Sequence, residues 1–210
     1  ESGQRDKFFN ILSELTDPLK TIKNRKNGIA MEIYYKISLC LLSHINSYNL
    51  TEKISTQMDI YRLMRMDEHE SWEDAIEYIY TLSDVIFNIQ REEQNKRADN
   101  EIYYIQKYVK GHLNEDLSLV KLAEQVYLNP SYLSRLYKEV TGSNLSDFID
   151  DAIVKKAKEL LEKGNVKIYE VAKAVGYETA SSFTRFFRRM TGYSPQEYRE
   201  TFMTNKKVTK

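Results

Sequence analysis

Two six-residue segments of the chain repeat one pattern of groups: Leu133-Ser134-Arg135-Leu136-Tyr137-Lys138 and, at an offset of 50, Phe183-Thr184-Arg185-Phe186-Phe187-Arg188. In each, a hydroxyl, an arginine and a second cation stand between apolar residues at helical spacing. A guanidinium can bind a guanine edge through two hydrogen bonds, and a hydroxyl can serve either a base or a phosphate. The chemistry on offer is recognition of nucleic acid rather than bond making. No glycine-rich phosphate loop, nucleophile elbow or H-E-x-x-H run occurs, and Asp150-Asp151 are read as lying on a solvated helix face. His44, His69 and His112 are isolated, with no second ligand at metal spacing. Neither an enzyme, nor a cofactor, nor a metal site is expected.

The repeat extends outward from these segments. Leu122-Ala123-x-x-Val126 returns as Val171-Ala172-x-x-Val175 at an offset of 49, and Thr141-Gly142 returns as Thr191-Gly192. The slip of one residue falls in the turn, where a loop can absorb it. Each copy reads as a short helix, a turn and a longer helix. In the longer helices Leu133, Leu136 and Val140, or Phe183, Phe186 and Met190, are assigned to the core. The remaining face carries Ser131, Ser134, Arg135 and Lys138 in the first copy, and Ala180, Ser181, Thr184, Arg185 and Arg188 in the second. The plainer reading, that the arginines are solvated or paired surface groups, is weakened by their matched positions.

The elements that must hold these faces are punctuated clearly. Asn129 before Pro130 makes an N-cap followed by a proline at the first helical position, and Gly176-Tyr177-Glu178 makes the second turn. After each copy a glycine stops the helix and a new cap signal follows, Asn144-x-x-Asp147 and then Ser194-Pro195-x-Glu197. Between the copies Ile149, Ile153, Ala157, Leu160 and Leu161 form one face of an amphipathic helix closed by Gly164. A stiff spacer of this kind would set two helix-turn-helix units on one face of a duplex, in successive major grooves roughly 34 Å apart.

From about Ile102 to Phe202 the chain closely resembles the AraC/XylS family of transcription regulators. The resemblance is carried by Leu117-Ser118-Leu119-x-x-Leu122-Ala123, Asn129-Pro130-Ser131-Tyr132-Leu133-Ser134-Arg135-Leu136-Tyr137-Lys138, Val171-Ala172-x-x-Val175-Gly176-Tyr177 and Gly192-Tyr193-Ser194-Pro195-x-x-Tyr198-Arg199. It implies seven helices, two of them recognition helices. It also implies that Ser131, Ser134 and Arg135 face bases in one groove and Ala180, Ser181 and Thr184 in the other, with Lys138 and Arg188 on phosphates. Small side chains on the second face imply weak direct readout there, through a thymine methyl or DNA shape.

The expected architecture is all-α: a helical regulatory or dimerisation domain over 1–98, then a DNA-binding domain over 99–210. Within the latter the motifs are placed at about 118–141 and 168–191, with the linker helix at about 145–163. Seven glycines and three prolines in 210 residues favour long helices. The formal net charge is zero, but residues 1–100 carry 13 Lys+Arg against 17 Asp+Glu and residues 101–210 carry 18 against 14, a balance of +4 for the half expected to meet DNA.

In the first half, helices are expected over Phe8 to about Leu19, Ile29 to about Tyr48, Thr51 to about Met66 and from Ser71 onward. Arg91 to Asn100 is either an exposed helical extension or a domain boundary, placed near Asp99. Cys40, among apolar residues, is expected to be a buried structural thiol. The tyrosines and Trp72 are assigned to core first, to a dimer interface second and to a ligand cage third. A cupin-like strand pattern is absent. The segment instead resembles the one preceding the DNA-binding domain in YesN-type response regulators, or in membrane-bound sensor regulators.

No run of eighteen apolar residues or signal peptide occurs, which points to a reducing, cytoplasmic setting. The first residue, Glu1, suggests a fragment whose upstream receiver or sensor domain was cut away. The expected partners are double-stranded DNA, a second copy through the N-terminal helices and, for an activator, RNA polymerase. The alternative is a protein-interaction module or membrane-sensor output domain whose acidic first half masks the basic second half.

Overall fold

The computed structural model describes residues 2–24 and 26–208 of the chain, and every described element is helical. The helices are α1 (Ser2–Lys20), α2 (Gly28–Ser47), α3 (Thr51–Ser55), α4 (Trp72–Gly111), α5 (Leu119–Gln125), α6 (Pro130–Thr141), α7 (Leu145–Glu162), α8 (Ile168–Ala174), α9 (Ala180–Thr191) and α10 (Pro195–Val208). Two short 3-10 turns, Ile60–Met64 and Met66–Glu68, lie between α3 and α4. The chain divides into two compact units, Glu1–Asn95 and Lys96–Lys210, so the division falls inside α4. The polar stretch 91–100 therefore stays helical; it has no buried position to hold it, but strong helix formers such as Arg91, Glu92, Glu93 and Gln94.

The first unit is organised around α2, whose buried stripe Ala30, Tyr34, Ser38, Leu41 and Ile45 repeats nearly every fourth residue. Against it pack Leu12 and Leu19 of α1 and the Trp72–Ile89 face of α4. Trp72 and Tyr78 are core residues, whereas Tyr48 and Tyr61 are exposed. The helix expected from Thr51 to Met66 is in fact five residues of α3 followed by the two 3-10 turns. Asp59 accepts a hydrogen bond from the Tyr61 amide and restarts the chain, which lets Ile60, Leu63 and Met66 turn inward. Cys40 is exposed rather than buried, because the stripe of α2 leaves Leu39 and Cys40 on its outer side.

A buried polar cluster ties the 3-10 turns to α2 and α4. The Tyr34 hydroxyl donates to the Leu63 carbonyl and lies 3.0 Å from His69 Nε2. Arg62 pairs with Asp74 at 2.7 Å, and His69 Nδ1 stands 3.4 Å from the same carboxylate. Burial, reinforced by the charge of Arg62, holds the His69 pKa below its usual 6.5.

In the second unit the C-terminal part of α4 and α5 to α10 make seven helical segments around one core of Ile105, Val109, Leu122, Leu133, Tyr137, Ala157, Leu161, Val171, Phe183 and Phe187. The core differs from expectation at two repeat-equivalent places. Val140 and Met190 are each 38% exposed, while Tyr137 and Phe187 are buried. The larger rings reach α7 and α10: Tyr137 packs on Phe148 at 5.9 Å and Phe187 on Tyr198 at 5.7 Å.

Candidate nucleic-acid interface

Each short helix of the repeat ends in the same turn. Leu128 N–H donates to the Ala123 carbonyl and Tyr127 N–H to that of Glu124; in the second copy Tyr177 N–H donates to Ala172 and Gly176 N–H to Lys173. This paired bonding places the residue after the C-cap in the left-handed region, where Tyr127 has φ 54° and Gly176 has φ 85°. At Gly176 the space is closed as well, since a Cβ there would lie 2.6 Å from the Leu113 carbonyl oxygen.

The long helices start on side-chain caps. Asn129 Oδ1 accepts from the Ser131 amide at 2.9 Å, with Pro130 following, and Thr179 Oγ1 accepts from the Ser182 amide at 3.2 Å. Both end at left-handed glycines, Gly142 and Gly192. The next helices begin differently. At α10 the box is reciprocal, with Glu197 accepting from Ser194 N–H and Ser194 Oγ accepting from Glu197 N–H. At α7, Asn144 holds the cap position but its amide donates to Asp147 instead of capping the backbone.

With Leu133, Leu136 and Tyr137 turned inward, α6 presents Ser131, Ser134, Arg135 and Lys138 to solvent, all exposed and sharing one face by their spacing of three and four. The guanidinium of Arg135 lies over the Tyr132 ring, 5.5 Å from its centre, a contact that restrains a long side chain at the helix surface without using its donors in a salt bridge. In α9, Ser181, Arg185 and Arg188 are exposed, whereas Ala180 and Thr184 are half-buried. The Thr184 hydroxyl donates to the Ala180 carbonyl at 2.7 Å. What it offers outward is its lone pairs and methyl group. The two faces thus differ: the first keeps free hydroxyls around a braced arginine, and in the second the Ser181 and Thr184 hydroxyls are engaged by Thr179 and Ala180.

Arg189, which the repeat pattern does not single out because its counterpart is Glu139, is exposed but leans on the neighbouring elements. It stands 3.5 Å from Asp150 of α7 and over the Phe186 ring. Asp150 is half-buried rather than solvated. Burial pushes its carboxyl above the ordinary value, Arg189 opposes this, and Asp147 and Asp151 add to it. This exposed contact bridges α9 and the linker helix. At the other end Tyr198 of α10 donates to Glu162 at 2.9 Å and Arg199 to the Val166 carbonyl at 2.5 Å. Burial and the adjoining Glu162 carboxylate push the Tyr198 phenol up to about 12, so it remains a donor throughout the neutral range. The repeat separates Arg185, matched by Arg135, from Arg189, but that Arg189 pairs with Asp150 is decided only by the position of α7.

A helix-turn-helix domain family matches residues 122–201. The HTH-type transcriptional regulator YobQ of Bacillus subtilis is 38% identical over 100 residues, which is 48% of this chain and 42% of that protein. Another regulator of that type in the same organism, YtdP, is 24% identical over 173 residues, 82% of this chain and 22% of that protein. The chain therefore spans less than half the length of these relatives. Among solved structures, the C-terminal domain of AraT, a response regulator from Geobacillus stearothermophilus, is 33% identical and has a TM-score of 0.47, covering 48% of this chain and 84% of that one. Two capped helix-turn-helix units, joined by one helix, coincide with the span this domain family matches, so the second unit carries a helix-turn-helix domain similar to those of AraC-type DNA-binding transcription regulators.

Proposed function

We propose that the second unit reads a specific duplex sequence by inserting α6 and α9 into successive major grooves, and that the protein activates transcription from the sites it binds. The observation that carries this reading is the pair of exposed, repeat-equivalent arginines, Arg135 and Arg185, on helices whose opposite faces are locked into one core. Arg135 with Ser131 and Ser134 specifies bases in one groove, while Ser181, Ala180 and Thr184 discriminate weakly in the other. Lys138 and Arg188 bind phosphates and fix the register. Arg185, exposed and without an ion pair among the described residues, serves as the second site's cation.

The experiment is a binding titration of the chain against duplexes selected from a randomised pool, at several salt concentrations. Affinity falls with salt at a log–log slope of about −0.9 per phosphate contacted. Arg135→Ala costs about 1–3 kcal/mol on selected duplexes and relaxes preference at one position. Binding that ignores salt, or selection of no common sequence, refutes the reading.

The first unit supplies the regulatory input. Ile11 and Leu15, each 48% exposed, line an apolar groove of about 390 Å³ between α1 and α2, with Phe8, Ile33, Ile37 and Cys40. This supports a self-contact that pairs two copies on DNA, measurable as a concentration-dependent dimer that Leu15→Glu abolishes. The AraT likeness and the short span over YobQ and YtdP support placing this chain as the output part of a longer cytoplasmic response regulator. The sequence upstream of Glu1 tests that: a receiver domain fits it, and membrane-spanning segments refute it.

A further inference from the structure

We propose that Tyr127 is an additional nucleic-acid contact, its phenol binding the sugar-phosphate backbone beside the first recognition helix; this rests on the DNA-binding reading above. Tyr127 occupies the left-handed position of the turn, with φ 54°. The equivalent position in the second copy is Gly176, the residue that adopts this conformation without a steric penalty. Among the described residues the other side-chain-bearing residue with positive φ is Asn49, a type that tolerates the left-handed region. A bulky aromatic residue does not.

The strain is not offset inside the fold. Tyr127 is 97% exposed, so its ring packs on nothing and its hydroxyl is open to solvent. Replacement by glycine at such a position favours the folded state by roughly fivefold. A side chain that strains the turn and contributes no packing is explained by a contact made outside the chain, and its position says with what. Tyr127 lies two residues before the cap Asn129 and four before Ser131, hence within about 14 Å of the helix end that enters the groove. The major groove is about 12 Å wide, so a residue at that distance from its occupant stands level with the flanking phosphate ridge. A phenol suits that ridge, since its hydroxyl donates to a phosphate oxygen while its ring lies on the deoxyribose.

The second copy cannot carry the same group. Behind Gly176 the Leu113 carbonyl closes the space that any Cβ would need. The contact is therefore one-sided, adding to the half of the interface that already holds the braced Arg135.

The test compares the chain with Tyr127→Gly and Tyr127→Phe on a mixed-sequence 30-base-pair duplex and on a duplex selected for tight binding. Tyr127→Gly should raise the thermal midpoint while lowering affinity for both duplexes by roughly tenfold. Tyr127→Phe should lose much of the same affinity with the midpoint unchanged. Because the phenol is uncharged, neither variant should alter the salt slope. Unchanged affinity in Tyr127→Gly overturns the proposal, as does loss of transcription with DNA affinity intact, which would assign the residue to a protein partner. A midpoint that does not rise overturns the strain argument. If the unmodified chain binds neither duplex, the DNA-binding reading itself fails; if it binds, and Arg135→Ala weakens only the selected duplex, that reading stands whatever Tyr127 does.

Discussion

Replacing Gly176 by alanine should destabilise the second unit by about 3 kcal/mol, and the structure divides that cost into two parts. The first is conformational. At φ 85° a residue with a Cβ pays roughly 1–2 kcal/mol relative to glycine. The second is steric, because the new Cβ would meet the backbone oxygen of Leu113 at 2.6 Å. A main-chain carbonyl at the end of α4 cannot swing away like a flexible side chain, so the turn or the α4 terminus must shift, at about 1–3 kcal/mol. Gly192→Ala separates the two. Its φ is 82°, nearly the same, but nothing lies within 4 Å of the added Cβ, so only the conformational part applies.

The assay is urea unfolding followed by helical circular dichroism and, in parallel, by the fluorescence of Trp72, the single tryptophan, which is buried in the first unit. With a slope of about 2 kcal/mol per molar urea, Gly176→Ala should lower the midpoint of the second unit by about 1.5 M and Gly192→Ala by about half as much. The Trp72 transition should stay in place. Equal shifts for the two variants would refute the steric argument, and a Trp72 shift as large as the dichroism shift would refute the assignment of the damage to the second unit.

Other perturbations probe single contacts. Asn129→Ala removes the cap of α6 and should cost about 1 kcal/mol by the same unfolding assay, with a matching loss of DNA affinity as the end of the helix frays. Phe187→Ala, in a site with 0% exposure, should cost about 3–5 kcal/mol, whereas Met190→Ala on the exposed side should cost under about 1 kcal/mol. Lys138→Ala should weaken binding alike on all duplexes and reduce the salt slope by about one, unlike Arg135→Ala, as read by salt titration.

His69 predicts a pH response. Because its folded pKa is depressed, the unfolded chain binds the proton more readily, and the stability arising from its neutral burial is complete above about pH 6.5 and is lost as pH falls below that. Asp74, whose carboxyl is lowered by the Glu70 amide and Arg62 against the opposing effect of burial, loses its contribution only below about 3.8. Thermal midpoints between pH 7.5 and 5 should therefore fall in the unmodified chain and fall less in His69→Gln. An equal slope in both would sink this assignment.

Much of this molecule was written locally. Caps such as Asn129-Pro130 and Ser194-Pro195-x-Glu197 act through groups within three residues of one another, and the period of 3.6 in α2 and α7 is a property of each helix alone, so the sequence specified both without reference to the rest of the chain. The repeat likewise exposed the faces of α6 and α9, because apolar residues at three- and four-residue spacing leave a fixed remainder. Tertiary structure decided what local rules leave degenerate. Tyr137 and Phe187 were buried in place of Val140 and Met190 because α7 and α10 approach α6 and α9 from a side that no helical wheel specifies. The same approach set Asp150 within 3.5 Å of Arg189, which stays exposed but gains an ion-pair partner, while Arg185, four residues earlier and chemically identical, was left without one among the described residues. Cys40 came out exposed because an apolar neighbourhood in sequence becomes a buried one in space only where another helix covers it.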